Sequence, residues 1–141
     1  MASLQPRDGE SLSARFTVLP SDLASATSPD PNDNYAKVLA TPRLVSFMEI
    51  MCARMLLPCL QPDQLSVGVR VEMDHLAATP VDEEIEVTAT FLKKEKKTFV
   101  FDCVIKDTGG EVGRGKCIRA IIDEKRLMEG ANKRVKAGSK L

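Results

Sequence analysis

Residues Thr41 to Leu57 (TPRLVSFMEIMCARMLL) read as one helix with almost no polar face, and this constrains the chain more than any other feature. Thr41-Pro42 is a start signal, since a threonine hydroxyl can cap and an early proline loses no hydrogen bond it needed, and Pro58 ends the run. On a helical wheel Arg43 and Arg54 share one edge. Leu44, Val45, Met48, Met51, Cys52, Met55 and Leu56 fill the opposite arc, and Phe47, Ile50 and Leu57 flank the arginines. A helix apolar nearly all round has to be enclosed. The remaining chain must supply the enclosure.

The following sequence looks suited to that. Leu65–Leu76 and Glu84–Leu92 read as strands, Lys93–Lys97 as a charged hairpin tip, Thr98–Asp107 as a third strand, Thr108-Gly109-Gly110 as a turn, and Glu111–Ile122 as a fourth. Short connections predict an antiparallel meander. Ahead of the helix, Arg15–Leu19 is a short strand candidate, and residues 20–34, with the turn Pro29-Asp30-Pro31-Asn32, form a loop or lid. The order predicts an α+β domain over residues 14–123, a flexible tail over 1–13, and a short helical turn with a basic tail over 124–141. One helix cannot cover both faces and both edges of such a sheet, so a homodimer or dimer of dimers is expected.

Lysine plus arginine and aspartate plus glutamate both number 20 in these 141 residues, which argues against general nucleic-acid or membrane-surface binding. No apolar run reaches bilayer length, and the polar amino end lacks a signal-peptide pattern. Cys52, Cys59, Cys103 and Cys117 show no paired-ligand spacing and read as reduced packing residues; no metal or redox cofactor is expected. The chain closes with Ser139-Lys140-Leu141, the address read by the peroxisomal import receptor, which predicts a peroxisomal matrix location.

Three residues suggest chemistry. His75 is the only histidine, and strict alternation would set it with Val67, Val69, Val71 and Met73 on an inward apolar face. Imidazole suits proton transfer near neutrality, and a satisfied core or interface histidine is the alternative. Glu49 falls among Val45, Ala53 and Leu56, where a carboxylate must be paired, hydrogen-bonded or protonated. It could be a base or nucleophile, or else an ion-pair partner of Arg54 or of an arginine from a strand. Thr41 could be a simple cap, but it also stands where helix N–H groups could meet a developing oxyanion. Thr41 and Glu49 are eight positions apart, hence about 12 Å along the axis, so they cannot bond directly. In Gly113-Arg114-Gly115-Lys116, the cations could meet the phosphates of a ligand or be solvated charges on a bulged strand.

The stretch VLATPRLVSFMEIMCARMLLPCL, followed by SVGVRVEMDHLAATPVD, resembles the fluoroacetyl-CoA thioesterase-like family of hotdog enzymes, in which a curved sheet holds one central helix. The resemblance spans about residues 15 to 122. The family's Ala-Thr at the helix start, Met-Glu within it, S-[VL]-G turn and His before A-A-T-P fall on Thr41, Glu49, Gly68 and His75. The resemblance implies that Thr41, Glu49 and His75 are the hydrolytic set of an acyl-CoA thioesterase, with Gly68 beside the substrate and coenzyme A arriving as part of it. Departures are Pro42 for a usual glycine, Val69 for a threonine, and Cys117 where a second histidine is common. Of the aromatic lid positions linked to fluoroacetate only Tyr35 is aromatic, the other being Asn32, so selectivity for a fluorinated acyl group is not expected. A hotdog enoyl-CoA hydratase and a non-catalytic acyl-CoA-binding dimer remain alternatives. The lack of a histidine on the helix speaks against the hydratase.

Overall fold

The structure is a computed structural model that describes residues 5–138. Five antiparallel strands form one sheet in the order β1-β3-β4-β5-β2: β1 (Ser11–Thr17), β2 (Gln64–His75), β3 (Glu84–Glu95), β4 (Thr98–Asp107) and β5 (Gly110–Asp123). Helix α1 (Thr41–Leu56) packs on the concave face, and α2 (Glu124–Gly138) leaves the end of β5. This is the α+β architecture expected. Ile85, Val87, Ala89 and Phe91 of β3 with Phe101, Cys103 and Ile105 of β4 meet Leu44, Phe47, Met48, Met51, Cys52, Met55 and Leu56 of α1, closing one core. No helix among the described residues is long and apolar enough to cross a membrane.

The topology departs from the expected meander at one place. Only β3, β4 and β5 follow one another as neighbours; β2 crosses to the far edge and pairs with β5. Its connection to β3 is no hairpin. The segment between them is drawn over the helix entrance, where Leu39 N–H donates to Thr79 O at 2.8 Å and the buried Thr79 hydroxyl donates to Asp107 at 2.8 Å. Within the described residues, the segments flanking the domain are also more regular than expected. β1 begins at Ser11, because the hydroxyls of Ser11 and Ser13 meet those of Thr90 and Thr88 at 2.6 Å and Gly9 N–H donates to Phe91 O. The segment after Asp123 is a 15-residue helix rather than a single turn, although it buries no residue. The peroxisome-type tripeptide Ser139-Lys140-Leu141 lies outside the described residues.

Three bulges curve the sheet, at Leu92, Val112 and Val69, where one strand carries an extra residue against its partner. The bulge at Val69 corrects the alternation read from sequence. Beyond it Val71, Met73 and His75 pair with Cys117, Gly115 and Gly113 on the inner face, but before it Ser66 and Gly68 are the inner residues, paired with Ile121 and Arg119. Val67 pairs with Ala120 on the outer face, and Val69 is 54% exposed.

The edge of α1 that carries its two arginines is sealed by a stack. Arg43 lies 4.5 Å over the Phe47 ring, Phe47 and Phe16 are 4.7 Å apart, and Arg54 lies over Phe16. Strand β2 also runs unusually close to β5. A Cβ at Gly115 would stand 2.0 Å from the Glu72 carbonyl oxygen, whereas one at Gly113 would make only ordinary contacts, the nearest at 3.6 Å. Gly115→Ala is therefore expected to destabilise the fold by roughly 1–3 kcal/mol. Gly113→Ala should change stability by less than about 1 kcal/mol. Urea unfolding of both variants checks the contrast.

Candidate active site

The amino end of α1 is fixed from below. Asp22, 3% exposed, accepts from Arg43 Nε at 2.7 Å and from Leu19 N–H at 2.9 Å, while its carbonyl accepts from Ala40 N–H. Removing one partner from such a buried, charged contact is costly, which makes it a rigid mount. Ala40, not Thr41, is the N-cap residue, and its side chain makes no cap bond. The threonine hydroxyl is thereby free for another partner. Thr41 Oγ1 lies 2.8 Å from His75 Nδ1, so the end of β2 and the start of α1 are joined through these two side chains. Nε2 of His75 is buried and has no hydrogen-bond partner among the described residues.

Glu49 belongs to a second cluster further along α1. Its Oε2 is 3.6 Å from Arg119 Nη1, and its Oε1 would lie 3.1 Å from a Cβ at Gly68. Arg119 is the strand arginine that an ion-pair reading of Glu49 called for. It is 7% exposed and held by Ser66, with Nε donating to the hydroxyl at 3.0 Å and Nη2 to the carbonyl at 2.9 Å. The Val69 bulge turns Gly68 and Ser66 toward this arginine, and a side chain at Gly68 would crowd the Glu49 carboxylate, which would have to shift slightly. The Glu49 side chain remains 38% exposed, in a half-buried stripe with Val45 and Ala53 that the sheet does not cover.

Within one chain, then, the structure joins Thr41 to His75 and Glu49 to Arg119 beside Gly68. Among the described residues no hydrogen bond or ion pair joins Glu49 to His75. Arg114 and Lys116 stand on the outer face, out of phase with the inward Gly113, Gly115, Cys117 and Arg119, and Arg114 is clasped by Glu111 at 2.7 and 3.1 Å. Tyr35 of the expected lid is 53% exposed. Sequence reasoning missed Asp22 and Thr79. The signal for Arg119 was there: it keeps phase with the inward Cys117.

Fluoroacetyl-CoA-specific thioesterases match the chain as a family over residues 18–125, which includes both clusters. The chain belongs to the fluoroacetyl-CoA-specific thioesterase family. It is 28% identical over 134 residues to the fluoroacetyl-CoA thioesterase of Streptantibioticus cattleyicolor, covering 94% of this chain and 96% of that protein. A crystal structure of a point mutant of the fluoroacetyl-CoA-specific thioesterase superposes with a TM-score of 0.87 at 28% identity, over 92% of this chain and 97% of that one. Another, in complex with fluoroacetate and CoA, gives 0.83 at 29% identity, over 86% and 99%. A Thermus thermophilus thioesterase superfamily member, 21% identical with a TM-score of 0.83 over 99% and 98%, repeats the hotdog fold.

Arg119 holds Ser66 and faces Glu49, so Arg119→Ala is expected to destabilise the fold by about 1–3 kcal/mol. Glu49→Gln, at a carboxylate more than a third exposed, should lose less than about 1 kcal/mol. Denaturant midpoints of the two variants measure the difference.

Proposed function

We propose that the protein is a hydrolase that frees coenzyme A from a short or unusual acyl group, with Thr41, His75 and Glu49 carrying the chemistry. The observation that carries this reading is the 2.8 Å contact between Thr41 Oγ1 and His75 Nδ1. A hydroxyl in hydrogen-bond reach of an imidazole is an activated nucleophile. With the hydroxyl donating, His75 takes its proton as Oγ1 attacks the thioester carbonyl, then returns it to the departing CoA sulfur. The amino end of α1, where Thr41 N–H has no intrahelical partner, and the Gly68 amide favour the oxyanion. When water releases the acyl group, its proton passes through His75 to the departing Thr41 Oγ1; Glu49, beside Gly68 and Arg119 and about 12 Å along the axis from Thr41 of its own chain, takes part as base for that water from a second copy packed against the site.

Two further assignments belong to this reading. The first is a homodimer. Strand β2 is an outer edge with Leu65, Val69 and Leu76 exposed, and the Val45–Glu49–Ala53 stripe lies open beside it. A second copy on this edge would cover both. The second is import into the peroxisomal matrix through Ser139-Lys140-Leu141, supported by sequence alone. The acyl group is not assigned as fluoroacetyl, because Asn32 and the exposed Tyr35 offer no aromatic lid. Arg114 and Lys116 stay candidates for the coenzyme A phosphates only if the nucleotide end reaches the outer face of the sheet.

Incubation with a panel of acyl-CoAs and a thiol reagent tests the reaction. Thr41→Ala and His75→Ala are expected to lower kcat by about 10²–10⁴-fold with the fold intact, and Thr41→Ser to retain more activity. Water addition to an enoyl-CoA, or saturable binding without turnover, would replace this reading with the hydratase or the non-catalytic binder. Light scattering should give a dimer for the wild type and a monomer for Val69→Arg. A tagged copy lacking Leu141 should remain in the cytosol; continued import would remove the peroxisomal assignment.

A further inference from the structure

Apart from the two polar clusters, the core gathers a third set of reactive groups. Cys52 of α1, Cys103 of β4 and Cys117 of β5 have no exposed surface. Their three Sγ atoms all lie within 4.8 Å of one another, and those of Cys52 and Cys103 are 3.4 Å apart. Strand register explains half of this. Cys103 pairs with Gly115 and Cys117 with Phe101, which sets the two thiols diagonally on the inner face of neighbouring strands. Cys52 comes down onto them from the helix. All three are free thiols, as is Cys59, which stands outside the group.

We propose that Cys52, Cys103 and Cys117 form a binding site for a soft monovalent metal ion, Cu(I), held by three sulfurs. Sulfurs about 2.3 Å from an ion in a trigonal plane stand about 4.0 Å from one another. The spacings of 3.4 Å and up to 4.8 Å bracket that value, so closing the site needs side-chain shifts rather than a new backbone.

The donor set also selects the ion. Soft sulfur ligands favour Cu(I), whereas structural zinc is almost always bound by four ligands. Among the described residues no further Cys, His, Asp or Glu ligand atom joins these three. Full burial also leaves no open side for a fourth ligand from solvent. On binding, the thiol protons leave to solvent and the sulfurs become ligands.

The experiment uses the full-length chain and Cu(I) itself, added without oxygen as its acetonitrile complex, both to native protein and during refolding from urea. Bathocuproine disulfonate competes for the metal. The expected result is a single copper per chain with a three-sulfur shell at about 2.3 Å in the X-ray absorption spectrum. Copper should also raise the thermal midpoint. Cys59→Ser should bind as the wild type does. Cys52→Ala, Cys103→Ala and Cys117→Ala should each weaken binding by more than the ~10–100-fold that follows loss of a supporting group around a metal. Uptake only on refolding still supports the site, since the cluster is sealed in the native core. A two-sulfur shell, loss of copper in Cys59→Ser, or unchanged uptake in Cys52→Ala overturns the proposal. If the cluster variants do not fold, the wild-type sulfur count and Cys59→Ser decide it.

Discussion

A helix with so little polar surface survives in water only while something encloses it, and the rest of the molecule follows from that need. The concave face of the sheet takes the arc from Leu44 to Leu56, and the Arg43–Phe47–Phe16–Arg54 stack seals the edge where the charges emerge. What the sheet does not reach is the stripe containing Glu49. The candidate chemistry therefore lies along the seam where enclosure by a single chain stops. Placing polar groups at that seam avoids the desolvation they would meet deeper in the core.

Anchoring of the helix entrance is the second requirement. The buried Asp22 carboxylate, with Arg43 on one side and Leu19 N–H on the other, fixes the loop before α1. Thr79, bonded to Asp107, fixes the strand connection that passes over it. Between them Thr41 stands at a defined height above His75. A hydroxyl and an imidazole 2.8 Å apart need this mount, because both come from segment ends that would otherwise fray.

Much of this could be read from the residues. Helix limits and the four later strands rest on strong local patterns, as do the places of Thr41 at the helix start, Glu49 within it and His75 on a strand, whereas the roles of these residues and of Gly68 were implied by the family resemblance. Strand pairing was harder, since no local pattern reports that β2 joins β5 rather than β3. The Val69 bulge was hidden too. An unbroken run of alternating valines mimics a regular strand, and the extra residue shows only against the register of the partner. Pairing Glu49 with Arg119 needs the strand order and register, which is why the sequence could offer a strand arginine as its partner without saying which one.

The bulge also divides β2 into two stretches of opposite phase. The stretch holding Ser66 and Gly68 faces the arginine, and the stretch holding Val71, Met73 and His75 faces the helix entrance. Loss of the one extra residue would reverse the faces of the first stretch and leave the second untouched. The extra residue is thus what lets the surroundings of the carboxylate and the imidazole, of opposite parity along the chain, share one inner face.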